Sequence, residues 1–425
     1  MARILCYHDC NFKYNLFVYS CWTLSFILFV TTCECVRVFC FYSLPSITLK
    51  YVVLYSCMNV IKGATVDGTT LKLRLHNDSV LTFEDCWLRD HCRCPECYHS
   101  STNQRAHHIL DIPEVMIQSV KTNDTNVEIK WNDGHKSTYN VNFLEPYGYE
   151  NWKLPKWPPV LWCGDSVATK IARISDKEFV NNIEGEKKVF QSLLDYGIAV
   201  IEQVEPTMEA TEVICQALGG VQHTMFGGMW KVSTNPEHAD TAYMNIALKQ
   251  HTDNTYFTEP AGLQIFHCTE HTNGTGGENV FIDGFYAAMK LKEEHPEDFE
   301  FLTKFEVEAQ YIGDGRFQKH SAPVIQLDTF NNIKHIRFNS YDRSPMTFKN
   351  SQECRTYYRA LRNLARYFED PKNQWQIKLI PGTLIAFDNF RVLHGRTAFT
   401  GKRILCGSYV SRSDWLDKAR TLGLL

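Results

Sequence analysis

The chain lacks a basic excess: 44 Lys and Arg stand against 48 Asp and Glu across 425 residues, for a formal net charge of -4. A phosphate-backbone partner therefore has no electrostatic support, which excludes nucleic-acid binding. Internal repeats and low-complexity tracts are also missing, so neither a solenoid nor a compositionally disordered protein is indicated. Cysteine is plentiful at 16, yet the even spacing of a secreted disulfide framework is absent. Cys6, Cys10, Cys21, Cys33, Cys35, Cys40 and Cys57 crowd the N-terminus, and Cys92, Cys94 and Cys97 share one short stretch. That distribution points to a reducing compartment.

Charge is missing altogether from Leu16 to Cys33, between Arg3 and Lys13 on one side and Glu34 on the other. The run approaches the ~20 residues that a helix needs to cross a bilayer. Against a span, it is dense in Cys, Ser and Thr, and further apolar patches follow it. The Arg-rich, Ser-rich amphipathic pattern of a mitochondrial transit peptide is absent as well. Residues 1–63 are read as a targeting segment, an anchor or a gene-model artefact, with membrane contact expected only if that segment is real.

What remains is globular in composition, at 44% hydrophobic and 22% charged, and long enough for one large core plus a smaller domain. Residues 64–147 read as a small β-rich domain. "TLKLRLHNDSVLTFEDCWLRDH" alternates apolar and polar residues about a turn, and "NVEIKWNDGHKSTYNV" does so about an Asp-Gly turn. The Pro- and Trp-rich residues 148–163 break periodicity and read as a linker. Residues 164–425 mix short strands with helices. "EGEKKVFQSLLDYGIAVIEQV" predicts a helix that stops at Gly197 and hands over to a buried strand. "SQECRTYYRALRNLARYFED" predicts a surface helix, and "PGTLIAFDNFRVLHG" a turn followed by a single strand. The fold class is α+β and mainly β, a barrel or sandwich with helical buttresses.

His251 and Asp253, in "QHTDNTYF", have the spacing of two metal ligands, but His76/Asp78 and His238/Asp240 share it. Spacing alone leaves open a structural histidine and a turn-capping aspartate. A third ligand discriminates, because non-haem Fe(II) oxygenases place two histidines and one carboxylate on one face of the metal. "DNFRVLHGR" supplies His394 at the end of a predicted strand, and Arg403 follows nine positions on. If 2-oxoglutarate chelates the metal, its far carboxylate needs a fixed cation, which a guanidinium provides in bidentate form. An offset of nine along one strand would change faces, so "AFTGK" is read as an intervening turn.

At these residues the chain resembles the trimethyllysine dioxygenase and gamma-butyrobetaine dioxygenase family of carnitine biosynthesis. The matching stretches are "WLRDHCRCPECY", "LLDYGIAV", "DTAYMNIALKQHTDNTYF", "GLQIFHC", "DGFYAA", "IRFNSYDR", "FDNFRVLHGR" and "FTGKRILCGSY", in order from about Leu71 to the C-terminus. The resemblance implies a double-stranded β-helix (jelly-roll) domain and a small-molecule quaternary-ammonium substrate oxidised with O2. It implies Fe(II), 2-oxoglutarate and ascorbate, with His251, Asp253 and His394 as iron ligands and Arg403 as the co-substrate clamp. It also implies a homodimer and a mitochondrial location, with a cytoplasmic one as the alternative. The short "GRTAFTGKR" favours the trimethyllysine branch over the butyrobetaine one. Asp240 fits the same choice, since a carboxylate there would attract an alpha-ammonium that gamma-butyrobetaine lacks.

A quaternary ammonium has no N–H to donate, so its recognition falls to π faces. The matching cage positions are Phe226, Trp230, Tyr243 and Tyr409; Asn339 and Asp342 fall near the substrate's polar end. Phe226 stands where the family tends to have Tyr, Gly228 where trimethyllysine enzymes resemble one another in a basic residue, and Ser340 breaks an Asn-Asn pattern. In the small domain, Cys92, Cys94, Cys97 and His135 form a Cys3His set suited to closed, structural zinc, the alternative being inert thiols. The family resemblance points to the same four positions.

Overall fold

The computed structural model describes residues 60–152, 158–233 and 244–425, together with the backbone of four strands, Lys13–Cys21, Leu24–Cys33, Val36–Phe41 and Lys50–Leu54. The side chains of the predicted anchor or targeting segment lie outside the described residues up to position 59. Among the described residues, no helix is long and apolar enough to cross a membrane. The chain divides into two compact units, Met1–Leu154 and Pro155–Leu425.

In the first unit, β1 (Ile61–Asp67), β2 (Thr70–Leu75) and β3 (Val80–Glu84) form one antiparallel sheet, and β4 (Ile117–Thr122), β5 (Asn126–Trp131) and β6 (Lys136–Asn140) form another. The alternation read from the sequence sorts the faces. Leu71, Leu73 and Leu75 of β2 and Val127, Ile129 and Trp131 of β5 are buried in one core, while the residues between them turn outward. Both predicted hairpin turns are present, with Asp78 at φ 62° in the first and Gly134 at φ 90° in the second. The short helix α1 (Asp85–Asp90) leads from β3 into the cysteine-rich loop.

The second unit begins its core with α2 (Ile183–Tyr196), which ends where Gly197 adopts φ 75°. A side chain there would be strained, and its Cβ would lie 2.9 Å from Val392, so glycine lets the helix turn tightly into the strand that starts at Ile198. A six-stranded sheet runs in the order β7 (Arg173–Ser175), β8 (Ile198–Glu202), β14 (Leu384–Asp388), β11 (Leu263–Thr272), β16 (Lys402–Val410), β9 (Met229–Val232). A four-stranded sheet runs β10 (Leu248–His251), β15 (Val392–Arg396), β12 (Asn279–Asp283), β13 (Trp375–Ile377).

The two sheets pack face to face. Ile198, Val200, Ile385 and Phe387 of the larger meet Phe281, Val392 and Trp375 of the smaller, with the Phe281 and Phe387 rings 5.2 Å apart. Helices α2, α3 (Met208–Leu218) and α7 (Arg412–Thr421) cover the outside of the larger sheet through Val189, Phe190, Ile214, Leu218 and Trp415. Helices α4 (Gly284–Glu294), α5 (Pro296–Lys304) and α6 (Ser351–Glu369) cover the smaller one against Ile282 and Leu393. The result is a mixed α/β fold of the jelly-roll class.

One prediction is corrected. "PGTLIAFDNFRVLHG" is two strands, β14 and β15, in different sheets. The break falls at Asn389, Phe390 and Arg391, where side chains bind elsewhere: the amide of Asn389 reaches the backbone of Asp253 and Ala261, and the guanidinium of Arg391 pairs with buried Asp283 at 2.8 Å. Apolar residues resume at Phe390 and Val392 after Asp388 and Asn389, so the local pattern does not reveal that the chain changes sheets.

Candidate active site

The site is assembled on the smaller sheet and closed by the larger. His251 ends β10, and antiparallel pairing sets it directly opposite His394 on β15, with ring centroids 4.3 Å apart. His394 stands at the middle of its five-residue strand rather than at its end. Asp253 follows β10, held through its backbone: its N–H donates to Asn389 Oδ1 at 2.8 Å, and Asn389 Nδ2 donates back to the Asp253 carbonyl at 3.1 Å. Asp253 Oδ1 lies 3.2 Å from His251 Nε2 and 3.6 Å from His394 Nε2. Metal–ligand bonds of about 2.1 Å put adjacent ligand atoms roughly 3 Å apart, so one ion fits between these three.

The electrostatics agree with a cation site. Nδ1 of His251 lies 2.7 Å from the Lys249 carbonyl. That oxygen can only accept, so Nδ1 carries the proton and Nε2 turns its lone pair to Asp253. Burial penalises the Asp253 carboxylate, but the neighbouring His394 and His251 and the Tyr409 hydroxyl outweigh it and hold the group well below the usual range. Burial pushes His394 down to about 3, keeping the imidazole neutral and able to ligate. His251 is penalised by burial in the same way, but Asp253 raises it above its ordinary value. The carboxylate thus calls for a positive partner, which a proton on His251 or a divalent ion supplies.

Arg403 lies on β16, across the sandwich from His394, so the predicted turn at 398–402 falls on the crossing between sheets at 397–401. Its side chain is 3% exposed, donates to Asn279 Oδ1 at 3.2 Å, and has no carboxylate within 4.0 Å among the described residues. Burial pulls it down to about 10, which leaves it charged at neutral pH. Arg403 and the three candidate ligands line one pocket of about 950 Å³ including its mouth, together with Phe226, Trp230, Asn339, Asp342 and Tyr409.

Trp230 packs against Tyr409 and Phe266, each at 5.8 Å between centroids, and Phe226 stands edge-on to Tyr311 at 5.8 Å. Gly407 makes room for this wall: a Cβ there would lie 2.2 Å from the Trp230 ring. Asp342 accepts from Thr255 Oγ1 at 2.9 Å and from Asn339 Nδ2 at 2.8 Å, which fixes both predicted polar groups at the pocket's rim. At Gly228 a Cβ would come within 2.7 Å of His223, so a basic side chain there would require His223 to move. Asp240 and Tyr243 lie outside the described residues. Sequence reasoning missed Gln264, Asn279 and Asn389. Gln264 Nε2 and the Tyr409 hydroxyl both donate to Asp253 Oδ2, at 2.6 and 2.7 Å. Each of the three sits inside a stretch whose pattern says only strand or turn.

The first unit carries the second cluster. Cys92, Cys94 and Cys97 follow α1, and the Asp-Gly turn between β5 and β6 presents His135. His135 Nε2 lies 3.3, 3.6 and 3.7 Å from the three sulfurs. Ser137 Oγ donates to Cys92 Sγ at 3.1 Å and Arg89 Nη1 to Cys97 Sγ at 3.4 Å. Burial pushes the Cys97 thiol up to about 12, so a cation is needed to hold that sulfur as a thiolate, whereas at Cys94 the penalty of burial is outweighed by hydrogen bonds from Cys97 and Glu96, which lower it.

The model of the taurine catabolism dioxygenase TauD, TfdA family matches residues 167–409, and that of the gamma-butyrobetaine hydroxylase-like N-terminal family matches residues 64–145. The chain is 38% identical over 358 residues to mitochondrial trimethyllysine dioxygenase of Homo sapiens, covering 82% of this chain and 84% of that one. It is 38% identical over 368 residues to the mitochondrial enzyme of Gallus gallus, covering 84% and 87%. It is 32% identical over 384 residues to trimethyllysine dioxygenase of Meyerozyma guilliermondii, covering 86% and 96%.

Proposed function

The chain belongs to the taurine catabolism dioxygenase TauD, TfdA family, and we propose that it carries out the first step of carnitine biosynthesis. It is an iron- and 2-oxoglutarate-dependent dioxygenase. In the proposed reaction N6,N6,N6-trimethyllysine, 2-oxoglutarate and O2 give 3-hydroxy-trimethyllysine, succinate and carbon dioxide. The observation that carries this reading is a buried guanidinium, Arg403, with no carboxylate within 4.0 Å among the described residues, in the same pocket as His251, Asp253 and His394. Identity of 38% to trimethyllysine dioxygenases over most of the chain supports the choice of substrate.

His251 Nε2, His394 Nε2 and Asp253 Oδ1 would hold the ferrous ion. With 2-oxoglutarate bound it supplies the oxidising power to hydroxylate an unactivated C–H bond. The protein's own part is placement and dryness. Arg403 pairs with the far carboxylate of 2-oxoglutarate, and Asn279 steadies that guanidinium. Phe266, Leu248 and Leu405 wall the pocket with apolar surface. Phe226, Trp230 and Tyr409 offer π faces to the trimethylammonium, with Tyr243 as a further wall. Asn339 and Asp342, with Asp240, attract the amino-acid end, so that the methylene between the two grips faces the metal ligands.

Gamma-butyrobetaine hydroxylation is the second reading, favoured by the family match of residues 64–145. The test is turnover of each substrate with iron, ascorbate and 2-oxoglutarate, measuring succinate and the oxygenated product by mass. Trimethyllysine should be the better substrate by kcat/KM; a preference for gamma-butyrobetaine would reverse the assignment.

Ascorbate serves in this proposal to keep the iron ferrous. Zinc held by Cys92, Cys94, Cys97 and His135 stabilises a domain spanning 64–147, joined by a linker at 148–163 to a catalytic domain at 164–425. The "mitochondrial" in the animal relatives' names supports a mitochondrial location, which sequencing the mature N-terminus would test. The family resemblance supports a homodimer, to be tested by the mass of the protein in solution.

A further inference from the structure

The side chains that fix the second oxygen of Asp253 have a consequence for how many positions stay open on a bound metal. Gln264 and Tyr409 are cross-strand partners on β11 and β16, so one rung of the sheet presents both side chains on the same face. Both donate to the same atom, Asp253 Oδ2, while Oδ1 faces the two imidazoles. Gln264 is 2% exposed and Tyr409 is 5% exposed, so both donors are buried, while the Asp253 side chain keeps 17% of its surface towards the pocket. The orientation of the amide follows from charge: turned over, its oxygen would press on the carboxylate at 2.6 Å. Among the described residues Gln264 Oε1 is buried with no hydrogen-bond partner, so the amide is oriented for Asp253 at the expense of its own acceptor. Asn389 pins Asp253 through its backbone N–H and its carbonyl, which fixes the Cα from which the carboxylate projects.

A carboxylate can bind a metal through one oxygen or through both. Binding through both would consume a position that a chelating keto acid or O2 needs, because a facial triad leaves only three. We infer that Gln264 and Tyr409 are positioning residues that keep Asp253 a one-oxygen ligand, reserving the adjacent position for the keto acid. This rests on the metal reading above and adds a role for Tyr409 beyond its ring: the side chain that walls the cation pocket also holds a ligand of the iron site.

The test uses the full chain without air. Iron affinity is titrated first, and 2-oxoglutarate is then added to the Fe(II) protein while the visible metal-to-keto-acid charge-transfer band is followed. The variants are Tyr409→Phe, Gln264→Met and the pair together. Tyr409→Phe removes one oxygen and leaves the ring against Trp230. The expected result is iron affinity within a few-fold of wild type, with the 2-oxoglutarate needed for half the band rising roughly 10- to 100-fold in the double variant and less in each single one. An unchanged band at unchanged 2-oxoglutarate would overturn the inference. So would loss of iron itself, since the donors would then be supporting the ligand rather than limiting it. If the double variant does not fold, Tyr409→Phe decides by the same two outcomes. A wild-type protein that binds iron but gives no band fails the oxygenase reading, whereas a wild-type band without trimethyllysine turnover fails only the substrate.

Discussion

The two ligand clusters differ in how they are built. Cys92, Cys94, Cys97 and His135 come from one loop and one hairpin turn, and four donors close around a common centre. His251, Asp253 and His394 come from two paired strands and the segment after one of them, and three donors face a pocket that also contains Arg403. Four ligands leave a tetrahedral ion no room for chemistry, so such a site can only hold chain segments together. Three ligands beside a cavity and a buried cation leave room for a co-substrate. A ligand count and an adjoining pocket separate a structural metal from a reactive one more securely than the identity of any ligand.

Removing a ligand from each cluster should therefore give opposite phenotypes. The largest effect belongs to His394→Ala, which should abolish succinate formation and iron binding while leaving the zinc content, measured by elemental analysis, intact. Cys94→Ser should do the reverse: zinc is lost and an early unfolding transition appears for the first unit. Structural zinc contributes on the order of 10 kcal/mol in small domains, so this transition should be readily seen by calorimetry. Iron binding in the second unit should persist.

Arg403→Met sharpens the contrast from the open side. Losing one partner of a buried, hydrogen-bonded charge pair costs about 2–5 kcal/mol. The KM for 2-oxoglutarate should rise by roughly two orders of magnitude, with iron affinity unchanged by titration. Trp230→Leu keeps apolar bulk but removes a π face worth about 0.5–2 kcal/mol to a cation, so the KM for trimethyllysine should rise several-fold with little change for 2-oxoglutarate.

The last effect is on stability alone, against pH. Burial pushes His267 down to about 4 and His335 down to about 3, so both stay neutral in the folded second unit. Unfolded histidines take protons near pH 6.5, so between there and pH 3 to 4 the unfolded state binds more protons and stability falls as pH falls. Each group contributes a slope of up to roughly 1.4 kcal/mol per pH unit, measurable by denaturant melts between pH 7 and 4.

The strands and the helix ending at Gly197 were legible in the sequence, as was the set His251, Asp253, His394 and Arg403, which the structure brings into one pocket. Alternation, capping and motif order are local signals, or rest on few residue types in a fixed order. The single strand predicted across Asn389 was not borne out: Asp388, Asn389 and Arg391 interrupt the apolar run, and the side chains of Asn389 and Arg391 bind Asp253 and Asp283. Gln264 looked like one more residue of a strand, and Tyr409 was expected only as a wall of the cation cage. Their shared hold on one carboxylate oxygen depends on strand register, to which the sequence gives no local signal.

By itself the sequence determined which side chains can ligate, which can pair with a carboxylate and which can face a cation, since those capacities belong to the residue types. Tertiary structure alone decided that His251 lies opposite His394, that residues 397–401 cross between sheets to bring Arg403 into the same pocket, and that Gln264 and Tyr409 meet on Asp253. The reason is physical: donor chemistry is a property of one residue, whereas coordination geometry is a property of distances between chain segments that only sheet pairing and sandwich packing set.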